Sequence, residues 1–196
     1  TVTTFADLKA KVDALPENSN VPSAFDGKTI TLTASANTGK DFVGTVKDDT
    51  FLSASTGHWG VGDSIDGGKG VDTLKIIDNG AILQTNVIPA GSTIKNVEIL
   101  DVISGADVTA DTTSITGVTH LYTTSKGGNK STAAATTDIN VKETDLKDST
   151  ATQLIVNGGK DVTVNATGTT DNTSAFTAAT GAGAEILVGA TTAAAG

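Results

Sequence analysis

From Lys28 onward the chain alternates apolar and polar residues with a period of two. Thr29-Ile30-Thr31-Leu32-Thr33 is the clearest run and predicts a strand with one buried face. Further extended runs are expected at residues 39–45, 71–77, 82–87 and 94–102, the last two separated by Pro89-Ala90-Gly91-Ser92. Before Lys28 the period differs. Phe5, Leu8, Val12 and Leu15 recur at helical spacing, Thr4 is placed to cap, and Asp7 falls in the first turn. Residues 3–15 therefore predict one helix, ended by Pro16 and the Glu17-Asn18-Ser19-Asn20 cluster. Such a helix either covers the end of a β-core or is the tail of a preceding helical domain.

Past residue 94 the pattern echoes itself irregularly. Val97-Glu98-Ile99-Leu100-Asp101-Val102 returns as Val118-Thr119-His120-Leu121-Tyr122. It returns again at Asp138-Ile139-Asn140-Val141, Gln153-Leu154-Ile155-Val156 and Ala184-Glu185-Ile186-Leu187-Val188. Shorter runs, Asp107-Val108-Thr109 and Asp161-Val162-Thr163-Val164, lie between. The first four echoes step by roughly twenty residues, the length of one coil of a β-solenoid. The expected fold is all-β, a parallel β-solenoid (β-helix) with a short N-terminal helix. A β-sandwich, whose turns fall every eight to twelve residues, is the alternative.

Composition agrees with this. The 196 residues include 35 Thr, as many as all charged residues together, but only one Trp, one Tyr and five Phe. Threonine favours extended backbone, and a core of Val, Ile, Leu and Ala suits narrow coils. Inward Thr is expected to hydrogen-bond in ladders. With no Cys, disulfides are excluded as the staple. Net charge is −9 and every basic residue is Lys, which argues against nucleic acid, whose recognition leans on Arg. No apolar stretch approaches the ~20 residues of a membrane-spanning helix. Among the acids, 18 are Asp and four are Glu. Short carboxylates in turns suit calcium sites and side-chain-capped turns alike.

One stretch carries specific chemistry. Gly67-Gly68-Lys69-Gly70-Val71-Asp72-Thr73-Leu74-Lys75 fits the calcium nonapeptide Gly-Gly-x-Gly-x-Asp-x-(apolar)-x of parallel β-helices. Glycines permit the tight turn and leave carbonyls free, the aspartate offers a hard anionic oxygen, and the apolar residue enters the core. Nine residues upstream Asp63 and Ile65 stand where Asp72 and Leu74 stand, and Asp48-Asp49-Thr50-Phe51 gives the same step earlier.

This segment resembles the repeats-in-toxin family of secreted bacterial proteins. In the order of its parts, residues 27–125 resemble a calcium-dependent bacterial surface-layer protein of the type I-secreted kind. The shared phrases are residues 44–51, residues 62–74 and Ile94-Lys95-Asn96-Val97-Glu98-Ile99-Leu100. The resemblance implies calcium as the cofactor, held between successive glycine turns. By position its ligands would be Asp63 and Asp72, with carbonyls of Gly60, Gly62, Gly68 and Gly70. Asp49 and Asp66 are secondary candidates. His58-Trp59 stands where another Gly-Gly would be, so one or two ions are implied rather than an array. Trp59 with His58 is either an anchor packed over the turn or a contact patch for a partner. His120 is expected to point outward, opposite Leu121.

The organisation expected is a helix and linker over 1–26, a Thr-rich solenoid over 27–168 with its calcium turn at 48–75, and a low-complexity end over 169–196, the whole expected to be a fragment of a longer protein. Neither His lies in a nucleophile-elbow or zinc-helix motif, and no enzyme is expected. The resemblance implies a structural component of a self-assembling extracellular layer on the cell surface, with cell-surface polysaccharide as a further partner. A segment of a large biofilm adhesin is the alternative, and the non-catalytic part of a secreted hydrolase a weaker one.

Overall fold

A computed structural model describes residues 4–13, 26–78, 86–146, 154–168 and 186–189. Helix α1 spans Phe5–Asp13. It opens with a reciprocal cap: the Asp7 N–H donates to Thr4 Oγ1 at 3.1 Å and the Thr4 N–H to Asp7 Oδ2 at 3.0 Å. Lys9 pairs with Asp26 at 3.5 Å, just before the first strand. The expected end of the helix at Leu15 lies outside the described residues. Among them, no helix is long and apolar enough to cross a membrane.

The rest is a parallel β-solenoid. Seven strands stack into one sheet: β1 (Thr29–Thr31), β2 (Thr50–Ser53), β4 (Thr73–Asp78), β6 (Ile99–Ser104), β8 (His120–Ser125), β10 (Asp138–Leu146) and β12 (Val162–Gly168). A second sheet holds β7 (Val108–Asp111), β9 (Asn129–Ala133), β11 (Leu154–Gly158) and β13 (Ile186–Val188). A short pair, β3 (Ser64–Asp66) and β5 (Thr93–Lys95), completes the coils near the N-terminal end. Every pairing is parallel, which excludes the antiparallel sandwich.

The seven-stranded sheet is aligned by one apolar column. Ile30, Phe51, Leu74, Leu100, Leu121, Ile139 and Val162 are register partners in succession. Phe51, Leu74 and Leu121 are fully buried. Each such side chain contributes about 1.5–3 kcal/mol by leaving water. A slip of one residue would turn the whole strand inside out, so this column sets the register.

Three expectations are corrected. Residues 39–45 are not an extended run, because Lys40–Phe42 forms a single 3₁₀ turn and only Val43 makes an isolated bridge, to Asp66. Residues 153–156 are not the next rung after Ile139: Leu154 pairs with Asn129 and Ile186 in the second sheet. The next rung is Val162, in the run first read as secondary. Both faces of the coil carry the same apolar-x-apolar pattern, so the echo alone does not tell them apart. Residues 94–102 are likewise two strands, β5 and β6, on different sheets. The expected strand at 82–87 and the low-complexity stretch after Gly168 fall almost wholly outside the described residues.

Strand β9 reads Asn-Lys-Ser-Thr-Ala, with Asn129 and Ser131 buried. They meet a polar seam in place of an inward threonine ladder. Thr123 Oγ1 and Ser131 Oγ lie 2.9 Å apart, and Asn129 Nδ2 donates to Ser125 Oγ at 2.9 Å. Ser125 in turn donates to Glu143, which is fully buried and accepts the N–H groups of Gly127 at 3.0 Å and Asp145 at 2.8 Å. A buried carboxylate persists because donors surround it.

Candidate metal centre

Two turns stack at one corner of the solenoid, residues 44–49 over residues 67–72. The Lys69 N–H donates to the Thr45 carbonyl at 3.1 Å. Glycine is required where one turn lies on the other: a Cβ on Gly68 (φ 95°) would meet the Thr45 carbonyl oxygen at 2.3 Å, and one on Gly70 (φ 123°) would meet Lys47 backbone at 2.6 Å. The backbones approach too closely for any side chain.

The acids of this corner form a ladder across coils. Asp49, Asp72 and Glu98 each stand two residues before a member of the apolar column: Phe51, Leu74 and Leu100. The Lys28 N–H donates to Asp49 Oδ1 at 2.5 Å, the Asp49 N–H to Asp72 Oδ1 at 2.7 Å, and the Asp72 N–H to Glu98 Oε2 at 2.8 Å. Each carboxylate thus accepts the N–H of its counterpart one coil earlier. Below Glu98 the ladder changes chemistry, with Thr119 Oγ1 donating to the Glu98 carbonyl at 3.3 Å.

The second oxygens differ between turns. Asp49 Oδ2 accepts both the N–H of Thr45 and its hydroxyl. The position matching Thr45 is Gly68, which has no hydroxyl and gives its N–H to Asp66 Oδ1 at 3.1 Å. Asp72 Oδ2 is left buried without a hydrogen bond. Asp72 is wholly buried, and its pKa is raised to about 6, first by burial and then by the nearby charges of Asp49, Glu98 and Asp48, against the Asp49 N–H, which lowers it.

Asp63 belongs elsewhere. It lies at the opposite end of β3, where its carboxylate accepts the Asn37 N–H at 2.8 Å and the Gly60 N–H at 2.7 Å. Asp63 and Asp72 share no hydrogen-bond partner. Gly60 and Gly62 accompany Asp63, whereas Gly68 and Gly70 accompany Asp72. Asp66 reaches the acidic corner from the side, through Gly68 and through Asn96 Nδ2 at 2.7 Å. Asp48 Oδ1 accepts the Val71 N–H at 2.8 Å.

Trp59 is in the core, 8% exposed, with its indole N–H donating to the Val87 carbonyl at 3.0 Å. It is an anchor and offers little surface to a partner. His58 sits half-buried beside it, its carbonyl accepting Asn37 Nδ2 at 2.9 Å. His120 points outward, its Nε2 3.6 Å from Asp138 Oδ2.

Two site residues go unmarked in the sequence reading, Glu98 in the acidic corner and Asn37 beside Asp63. Glu98 could have been found by the acid-x-apolar step it shares with Asp72. Asn37, fully buried and bonded to Thr33, His58 and Asp63, carries no comparable signal.

Chemically, the corner offers one free buried carboxylate oxygen amid further carboxylates, which a proton or a cation would satisfy. Calcium takes six to eight hard oxygens, carbonyls included. Among the described residues no three acidic or histidine side chains converge as a ready-made metal cage. The Asp72 oxygen therefore fits calcium as one ligand in a shell completed largely by other oxygens; Asp63, with backbone donors on both oxygens, shows no such need. No family model matches the chain, and no curated protein matches it either.

Proposed function

We propose that this chain is a structural segment of a calcium-ordered, self-assembling bacterial cell-surface layer, secreted by a type I route. Its fold supports a repeat structural role, because each coil buries the apolar face of the next and the stack extends along one axis. The observation that carries the calcium part is the buried, unbonded Asp72 Oδ2 beside Asp48, Asp49 and Glu98. Bound calcium supplies positive charge that offsets this crowding. Asp72 would hold it, with Asp49 and Glu98 contributing charge from the coils on either side. At low calcium the same repulsion disfavours the folded corner, which would keep the chain loose for export.

The test is a calcium titration of the chain followed by circular dichroism and light scattering, with images of the assembled material. Folding and scattering rising together, with two-dimensional sheets, support the surface layer. Monomeric rods in calcium would favour the adhesin segment. Chelator leaving both fold and self-association untouched would overturn the proposal.

A further inference from the structure

The outward face of the seven-stranded sheet presents one exposed aromatic ring. Tyr122, the only tyrosine of the chain, is 39% exposed. Parallel register places Asp101 directly across on one neighbouring strand and Asn140 on the other. These neighbours repeat at the strand spacing of about 4.8 Å. Along its own strand His120 and Thr124 flank it two residues away, and Lys142 stands beside Thr124. Tyr122 is the centre of a grid.

The ring is held in place. The His120 imidazole stacks on it, with centroids 5.9 Å apart and planes within 9°. His120 is fixed in turn by Thr119 Oγ1, 2.9 Å from its Nδ1, and by the Asp138 carboxylate. A shallow depression of about 410 Å³ borders Tyr122, lined in part by Asp101, Thr124, Asn140 and Lys142. Lys75 pairs with one oxygen of Asp101, offsetting its charge and leaving the other oxygen to accept.

The chemistry narrows the ligand. A peptide adding as a strand needs a free sheet edge, but β8 is paired on both sides. Nucleic acid is disfavoured by the net charge of −9 and by a single lysine in the depression. What remains is a fixed aromatic surface ringed by a carboxylate, an amide, a hydroxyl and an ammonium, mixing donors with acceptors. That matches a sugar ring, which has an apolar C–H face and a rim of hydroxyls.

We infer that this grid binds a neutral saccharide chain, one sugar ring lying on Tyr122 with its hydroxyls shared among Asp101, Asn140 and Lys142. The inference deepens the surface-layer proposal and rests on it only for the source of the glycan, a cell-surface polysaccharide.

A single tyrosine makes the test site-specific. The full chain, labelled on the tyrosine ring and held in calcium, is titrated with maltohexaose, cellohexaose and mannohexaose while the ring resonance is followed by NMR. A saturable shift is expected with at least one of them by about 10 mM, above the ~1 mM affinity a stacked ring and a few hydrogen bonds support. By calorimetry, Tyr122→Ala should weaken binding at least about tenfold, Asn140→Ala should weaken it too, and Tyr122→Phe should stay within about threefold. No shift with any of the three, or unchanged affinity in Tyr122→Ala, overturns the inference. So does a shift that follows protein concentration without sugar, which would mean that a second copy covers the face. Calcium-driven scattering separates the two proposals. Assembly without sugar binding sinks this site alone, and sugar binding without assembly sinks the surface layer and leaves the site.

Discussion

The backbone N–H of Asp49 donates to Asp72 Oδ1 at 2.7 Å, so two residues 23 positions apart join one coil to the next. Asp72 gives that one oxygen to its neighbour and keeps the other buried and unbonded. The corner is therefore braced and electrostatically loaded at the same residue.

Replacing that carboxylate should separate bracing from loading. In Asp72→Asn the amide oxygen can still accept the Asp49 N–H, while the buried charge is gone. With chelator present at pH 7.5, the variant is expected to be more stable than the parent by about 1–3 kcal/mol. Its melting temperature should no longer respond to calcium. Chemical denaturation with and without chelator checks both, and a less stable variant in chelator would contradict the account.

The pH dependence follows with a definite sign. The Asp72 pKa is raised in the folded state from 3.8 to about 6, so the fold favours the protonated acid. Its contribution is fully present below pH 3.8 and is lost as pH rises through about 6. The loss is on the order of 3 kcal/mol. Stability of the parent minus that of Asp72→Asn, in chelator, should fall across this window and flatten above it. Calcium should remove the fall, and denaturation midpoints measured from pH 4 to pH 8 would show it.

Two glycines should respond oppositely to what their dihedrals suggest. A Cβ on Gly67 would stand 1.8 Å from the Asn96 carbonyl oxygen and 2.5 Å from Asp72 Oδ2. Gly67→Ala is expected to cost about 3–5 kcal/mol through this overlap. Gly39 has open space around it, but its φ of 82° and ψ of −164° fall in a region essentially confined to glycine, and Gly39→Ala should cost about 1–3 kcal/mol of backbone strain. Urea midpoints of the pair decide; equal losses would mean that the turns do not stack this closely.

Glu143 offers a test away from the corner. Glu143→Ala strands the N–H groups of Gly127 and Asp145 and the Ser125 hydroxyl, at a cost of about 3 kcal/mol or more. Glu143→Gln keeps an acceptor for both N–H groups and should lose no more than about 1.5 kcal/mol. Thermal melts of the two variants distinguish a hydrogen-bonded seam from simple packing.

Much of the fold is legible along the chain because the apolar column is itself periodic. Leu100, Leu121 and Ile139 announce successive rungs through their flanking residues, and the structure pairs them. The reading slips at Leu154, where a strand of the second sheet carries the same apolar-x-apolar phrase. It passes over β9, where Asn129 and Ser131 take core positions without any hydrophobic signal. Their burial is made tolerable by Thr123, Ser125 and Glu143, partners found only across the coil.

By itself the sequence determined the period of two, the scarcity of aromatic residues, and the glycine-aspartate corner, all properties read along the chain. Tertiary structure alone decided which acids meet. Coil length varies, with 18 residues from Leu121 to Ile139 and 26 from Leu74 to Leu100, so no fixed interval predicts the neighbour. Asp63 and Asp72, nine apart, fall at opposite ends of β3, while Asp49 and Asp72 touch because the apolar column brings their coils into register. Hydrogen bonds between coils act across space, and only the stacked backbone sets which groups lie within their reach.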